Sequence, residues 1–246
     1  MAMRIFLAGA SGVIGRSLVP LLRNAGHQVT GTTRTNDGRA RLETSGIDVA
    51  VVDIFDKDAL EHAVSAAAPD VVIHQLTDLS AGLDPASQEE TLKRNARIRR
   101  EGTANLVHAA RTARVKRMIA QSIAWAYASK EPPYVETDPL DVGATGTRAI
   151  SISEGVVPLE SAVLQQSDFE GIVLRYGRFY GPGTWSLEPD RAMPVHVDAA
   201  AHAAFLAIEH GRPGIYNIAE PQSTVSIDKA IDELGWRADF RREPYG

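Results

Sequence analysis

The sequence predicts an α/β fold in which a doubly wound parallel sheet is covered by helices on both faces. Three observations carry this prediction. Short β-branched and aliphatic runs recur as far as Gly177, amphipathic helix-length segments lie between most of them, and the first run drives directly into a glycine turn followed by a helix pattern. Such alternation requires right-handed crossovers, hence parallel strands buried on both faces.

In chain order, the strands are expected at 4–9 (RIFLAG), 28–34 (QVTGTTR), 48–54 (DVAVVDI), 70–76 (DVVIHQL), 117–122 (RMIAQS) and 171–177 (GIVLRYG). Helices are expected at 15–26 (GRSLVPLLRNAG), at 57–68 (KDALEHAVSAAA) and over a long stretch from about 86 to 113. Residues 129–148 (SKEPPYVETDPLDVGATGTR) are rich in Pro, Gly and acids and read as a surface loop beside the C-terminal edge of the sheet, where substrate contacts are commonly carried. The tail after Tyr216 breaks the alternation and is expected to build a small lobe. The predicted division is therefore 1–181, with 195–218 returning to it, against a lobe made of 182–194 and 219–246.

Composition narrows the classes. A chain of 246 residues, 44% hydrophobic and 23% charged, can bury one substantial core. A net charge of -5 argues against a nucleic-acid surface, which depends on clustered Lys and Arg. No apolar stretch is long enough to cross a bilayer, and MAMRIFLAGA runs into a glycine turn instead of a signal-cleavage pattern, so a cytoplasmic protein without membrane partners is expected. The absence of cysteine removes disulfides, thiol nucleophiles and thiolate metal sites.

The glycine turn LAGASGVIG places glycines at 9, 12 and 15 between a strand and a helix. Gly9 permits the tight turn, Gly12 lets the backbone approach a pyrophosphate, and Gly15 lets helix and strand pack closely. With Ser11, Val13 and Ile14 these form a candidate phosphate-binding turn, the helix start offering free N–H groups to an anion. The alternative is a packing turn with no ligand. At the end of the second strand stand Thr32, Thr33 and Arg34, with no acid before Asp37. An acid there would accept from a ribose 2′-hydroxyl, whereas Thr33 and Arg34 suit a 2′-phosphate, which favours NADP with NAD as the alternative. Arg34 could equally be a solvated surface charge.

Several segments resemble, in order and spacing, the extended short-chain dehydrogenase/reductase family, the NAD(P)-dependent epimerases and dehydratases. They are GASGVIG, VVDIFD, DVVIHQLTD, RNARIRREGTANLVHAA, LRYGRFYGPG, PVHVDAAAHAAFLAIEHGRPGIYNIAE and DELGW, and they span nearly the whole chain. The resemblance implies a Rossmann sheet with a small C-terminal substrate lobe. It implies Asp53 and Ile54 at the adenine, Gln75, Leu76 and Thr77 along the cofactor, Asn95 behind the nicotinamide side, and Tyr180 and Gly181 near the substrate mouth. Catalysis in that family uses a Ser or Thr after the fifth strand, a Tyr, and a Lys four residues after the Tyr. Here the matching positions hold Ile123, Ile152 and Val156, Ser122 stands one place early, and no Tyr-x-x-x-Lys occurs anywhere. The chain reads as an atypical member.

The remaining polar candidates are Ser122 and Tyr127 as catalytic proton donors, and Tyr176, Arg178 and Tyr180 as substrate-binding groups. Tyr127 has an alternative role in packing with its hydroxyl satisfied. Arg178 could clamp a carboxylate or phosphate, or pair with an acid of the 129–148 loop. His196, Asp198 and His202 are poorly spaced for a metal, none of which is expected, and Asp198 reads as a helix cap. Lys93, Arg94, Arg97, Arg99 and Arg100 read as a solvated face, or as a homodimer interface through helix 86–113. No Gly-x-Ser-x-Gly nucleophile turn is present. The short lobe disfavours a bulky nucleotide-sugar substrate. The expected function is an atypical NAD(P)-dependent oxidoreductase or epimerase acting on a small carbonyl or sugar-like molecule; the alternative is a non-catalytic NADP-binding regulatory module.

Overall fold

A computed structural model describes residues 1–78, 88–189, 192–221 and 224–242. The strands are β1 (Arg4–Ala8), β2 (Gln28–Thr33), β3 (Asp48–Val51), β4 (Val71–His74), β5 (Arg117–Ile123), β6 (Glu170–Tyr176), β7 (Arg178–Tyr180), β8 (Pro194–His196) and β9 (Gly214–Ile218). The helices are α1 (Val13–Asn24), α2 (Asn36–Glu43), α3 (Lys57–Ala67), α4 (Gln88–Arg97), α5 (Thr103–Thr112), α6 (Gly146–Ser151), α7 (Val157–Leu164), α8 (Val197–Leu206) and α9 (Asp228–Leu234). Seven strands form one parallel sheet in the order β3-β2-β1-β4-β5-β6-β9, and β7 pairs with β8 beside it. This is the doubly wound α/β fold that the alternation predicts.

All six expected strands are present. The third and fourth stop short, at Val51 and His74, because the chain beyond them leaves the ladder at the C-terminal edge. β9 is a seventh strand, paired in parallel with β6 from Ile172↔Gly214 to Tyr176↔Ile218. α2, also unpredicted, is short and polar, with Thr35 accepting the Gly38 N–H at 3.0 Å as its N-cap. The 129–148 stretch is mostly exposed, although its last residues, from Gly146, already belong to α6.

Each face of the sheet buries its own side chains, as strand alternation requires. Ile5, Leu7, Ile73, Ile119, Ile172 and Leu174 pack beneath α1 and α8, whereas Phe6, Val72, Met118, Ala120 and Val173 pack beneath α3, α5 and α7. From the tail assigned to a small lobe, Val225, Ile227, Ala230, Leu234 and Trp236 join the first of these clusters, and the Trp236 indole N–H donates to the Ala199 carbonyl at 2.8 Å. α1 lies so close to the turn before it that a Cβ at Gly15 would come within 2.3 Å of the Gly9 carbonyl oxygen and 2.4 Å of that of Ala10.

Three expectations are corrected here. The long helix is interrupted: α4 and α5 flank a π turn at Ile98–Gly102, and residues 86 and 87 lie outside the described residues. The extra residue per turn rotates the basic run, so Arg99 is only 4% exposed and is not part of a solvated face. The other four cations pair locally, Lys93 with Glu89, Arg94 with Asp78, and Arg97 and Arg100 with Glu101. Nor does Asp198 cap α8: the His196 ring accepts the Asp198 N–H at 3.1 Å, and Asp198 itself accepts from Ser17 and Arg242. Among the described residues no helix is long and apolar enough to cross a membrane.

Two predictions follow from this packing. Gly15→Ala is expected to destabilise the fold by about 2–3 kcal/mol, a drop of roughly 5–10 °C in Tm, because both contacts are with backbone; an unchanged Tm would contradict the close approach. His74, fully buried at the end of β4, receives the Leu76 N–H on Nδ1, so its Nε2–H donates to Thr103 Oγ1 at 3.0 Å. Burial, reinforced by the Arg99 charge, holds its pKa at about 4 against an ordinary 6.5. The unfolded chain thus binds a proton that the folded chain refuses, and stability should fall as pH drops from about 6.5 towards 4, by about 3 kcal/mol in full. Denaturant titrations across that range should show a steeper slope in the native chain than in His74→Gln, which keeps the smaller contributions of His27, His196 and His202.

Candidate functional site

Four strand ends and one helix start converge on a cleft of about 260 Å³ at the C-terminal edge of the sheet, where open α/β sheets bind ligands. Gly9, at a φ of 99°, makes the turn out of β1, and a Cβ there would meet the Gln75 carbonyl at 2.8 Å. The Gly12 N–H closes the turn on the Gly9 carbonyl at 3.0 Å, and α1 then begins with no side-chain cap and no acidic residue in its first turn. Its first amides face outward without competition, the arrangement that suits an anion.

Of the predicted cofactor residues, Gly9, Ser11, Gly12, Thr33, Arg34, Asp53, Ile54, Gln75, Leu76 and Thr77 line this cleft. Val13, Ile14 and Gly15 form the first turn of α1. Asn95 is buried behind it, its Oδ1 accepting the Asp78 N–H at 3.1 Å. Six lining residues, Thr35, Val52, Phe55, Leu60, Asp78 and Ile98, escaped sequence reasoning. Thr35 and Phe55 directly follow predicted positions and were within reach; Ile98 is brought in only by the π turn, for which the sequence carries no signal. A dinucleotide fits the arrangement. Beside the open amides and the glycine turn, the lining residue Gln75 carries a buried Oε1 that has no hydrogen-bond partner among the described residues. Arg34 is exposed and lines the cleft, whereas Asp37, in the first turn of α2, does not.

Beyond the cleft, the strand ends of β5 and β6 carry the predicted catalytic and substrate groups. Ile123, Ile152 and Val156, which are 5%, 1% and 0% exposed, come together with Ala126 in a single apolar cluster. They are brought together by a second π turn, Ile152–Val156, which packs against the first through Gly155, whose Cβ would meet Arg99 and Ala96 at 3.3–3.4 Å. Ser122 points to the opposite face of β5. It is fully buried and donates to Glu160 Oε1 at 2.7 Å, while Glu160 also holds Arg175 through bonds of 2.9 and 2.6 Å. Burial alone would lower the Arg175 pKa, but the Glu160 bond and charge outweigh it and raise it.

Tyr127 is buried, its hydroxyl donating to Asn217 Oδ1 at 2.6 Å and its ring stacked on Tyr134 at 5.2 Å. Burial raises its pKa, so it resists giving up a proton. Tyr176 is buried more deeply, receives the Gln75 side-chain N–H at 3.5 Å and is likewise raised by burial. Tyr180 donates to Glu220 and receives Arg241 at 3.0 Å, its pKa pushed up to about 12 by burial and by the carboxylate. Arg178 lies over the Trp125 ring, 4.4 Å from its centroid. The structure therefore gathers the cofactor residues in one cleft, but it separates Ser122 from Ile123 by a strand face and encloses Tyr127 among its own partners. Among the described residues no group of three metal-ligating side chains is found.

The comparisons agree with this geometry. A curated relative, the 3-diazoavenalumate denitrifying reductase of a Streptomyces species, is 39% identical over 240 residues, covering 89% of this chain and 77% of the relative. The UDP-glucose 4-epimerase of Thermus thermophilus, solved in complex with NAD, superposes with a TM-score of 0.76 at 20% identity over 98% of this chain and 95% of that one. The Thermotoga maritima UDP-glucose 4-epimerase, solved with UDP-glucose, gives 0.74 at 21% identity over 96% and 94%. At such identities the structures share the fold. The reductase and epimerase relatives place this chain among NAD(P)-dependent oxidoreductases, epimerases and dehydratases. With a family model matching residues 5–194 from the first strand to the start of β8, the chain belongs to the NAD dependent epimerase/dehydratase family.

Proposed function

We propose that the protein is an NADP-dependent reductase whose acceptor takes up hydride without needing a proton. One observation carries this reading: Ile123, Ile152 and Val156, which the resemblance sets at the places of the family's proton-transferring Ser, Tyr and Lys, pack into one buried apolar cluster. When bound, the reduced nicotinamide supplies hydride. The α1 amides and Gly12 would hold the pyrophosphate, Asp53 and Ile54 the adenosine end, and Arg34 with Thr33 the 2′-phosphate. The apolar cluster would exclude water from the acceptor and offers it no acid.

A carbonyl reduced beside such a cluster would leave an alkoxide with no donor, which is costly in an apolar setting. A diazonium carbon closes the exchange without one: it gains hydride as a new C–H bond, and the C–N electron pair departs with dinitrogen. The name of the relative with 39% identity couples a diazo compound, loss of nitrogen and reduction, and supports this class. Ser122 and Tyr127 are then structural, Ser122 holding Glu160 against Arg175 and Tyr127 tying the turn after β5 to Asn217 of β9.

Two predictions test the reading. With a benzenediazonium salt and NADPH deuterated at C4, the arene product should carry cofactor deuterium and none from D2O, above a protein-free control, and Ser122→Ala and Tyr127→Phe should keep turnover within about threefold. Solvent deuterium in the product, or a hundredfold loss with either variant while NADPH still binds, would overturn it. Arg34→Ala should weaken NADP⁺ binding at least tenfold and leave NAD⁺ within about twofold, measured by calorimetry. Tighter NAD⁺ binding, indifferent to the substitution, would overturn the 2′-phosphate assignment.

A further inference from the structure

We infer that a small monoanion of the halide class binds inside the protein against the Arg99 guanidinium, where the two π turns pack on each other. The site depends on neither the cofactor nor the acceptor. Arg99 is carried on the first π turn, Ile98–Gly102, and its side chain runs past the second: a Cβ at Gly155 would meet its Cδ at 3.3 Å. Arg99 is only 4% exposed, yet among the described residues its guanidinium makes no hydrogen bond and no ion pair. Its nitrogens are not sealed, since the enclosed side-chain atoms without a partner are those of Gln75, His202 and Thr224. The small opening that remains therefore lies at the guanidinium itself.

Charge decides what suits that opening. Arg99 and Arg175 are both buried and both feel Glu160, whose two oxygens are bonded to Arg175 and Ser122. The acids nearest in sequence, Glu101 and Glu154, are turned outward and pair with Arg97 and Arg100. Burial keeps His74 neutral, and it lowers the Arg99 pKa only to about 10, so the guanidinium stays charged at neutral pH. Two buried cations thus share one carboxylate, which leaves a positive charge in a low dielectric. Water would satisfy the N–H groups and leave that charge, whereas a dianion would overshoot it and is too bulky for so enclosed a group. A small monoanion at the edge of the planar fork accepts two N–H bonds and balances the charge.

The test joins thermal unfolding of the full chain, with chloride replacing gluconate at constant ionic strength, to diffraction at the bromine absorption edge from crystals grown in bromide. Chloride is expected to raise Tm saturably by at least about 4 °C, sulfate should not reproduce the rise, and anomalous density should lie within hydrogen-bonding distance of the Arg99 guanidinium. Arg99→Met should lose both the chloride dependence and that density, with a Tm in gluconate no lower than that of the native chain. Arg99→Lys should need at least tenfold more chloride for the same rise. A map with water alone at Arg99, or a chloride dependence that survives Arg99→Met, overturns the assignment. Bromide at Arg99 without a saturable rise in Tm means an adventitious ion only and overturns it equally. Should Arg99→Met not fold, the native map and the Arg99→Lys titration decide.

Discussion

The whole arrangement depends on how closely the start of α1 approaches the ends of β1 and β4. Gly9 rests on the Gln75 carbonyl and Gly15 on the carbonyls of Gly9 and Ala10, at separations that no side chain could occupy. That closeness has two consequences. It seats α1 on the first face of the sheet, where Ile14, Leu18 and Leu22 enter the core, and it aims an uncapped helix start into the cleft formed by the neighbouring strand ends. Close packing and an open helix start thus share one local geometry. The same backbone contacts that would punish a Cβ are those that leave the amides uncovered.

A second constraint acts one strand further along. β5 alternates its side chains between the two faces, so Ser122 and Ile123 are committed to opposite environments. Ser122 enters a buried group of charges with Glu160 and Arg175, each 5% exposed or less. Removing one partner from such a group leaves the others uncompensated in a low dielectric, so the hydroxyl is held in place by what it stabilises. Ile123 takes the other face and meets Ile152 and Val156 across the π turn. The partition spends polar groups on holding the strand ends together on one face and buries an apolar cluster on the other.

The π turns connect these two regions. Each inserts one residue into a helix that would otherwise run straight, and the two pack on each other where Gly155 leaves room for Ala96 and Arg99. Ile98 reaches the cleft as a result, and Arg99 is drawn out of solvent, where burial lowers its pKa to about 10 in spite of the favourable charge of Glu160. A buried cation of this kind is retained only with a compensating charge nearby, here that of Glu160.

The strand runs, the glycine turn and the absence of Tyr-x-x-x-Lys were legible in the sequence because each is local. Periodicity reports which residues are buried, glycine spacing reports where backbone must come close, and a missing motif needs no coordinates. Thus the parallel sheet, most residues of the cleft and the apolar character of positions 123, 152 and 156 could be read in advance. Tertiary structure alone decided the rest. Whether Ser122 reached the cleft depended on the strand face it shared with Glu160, fourteen residues beyond the start of α6 yet adjacent in space. The burial of Arg99 depended on a π turn that propensity does not encode, and the seventh strand depended on β6 offering an edge to Gly214–Ile218. Such outcomes are set by partners distant in the chain, and a linear pattern carries no information about which distant partner arrives.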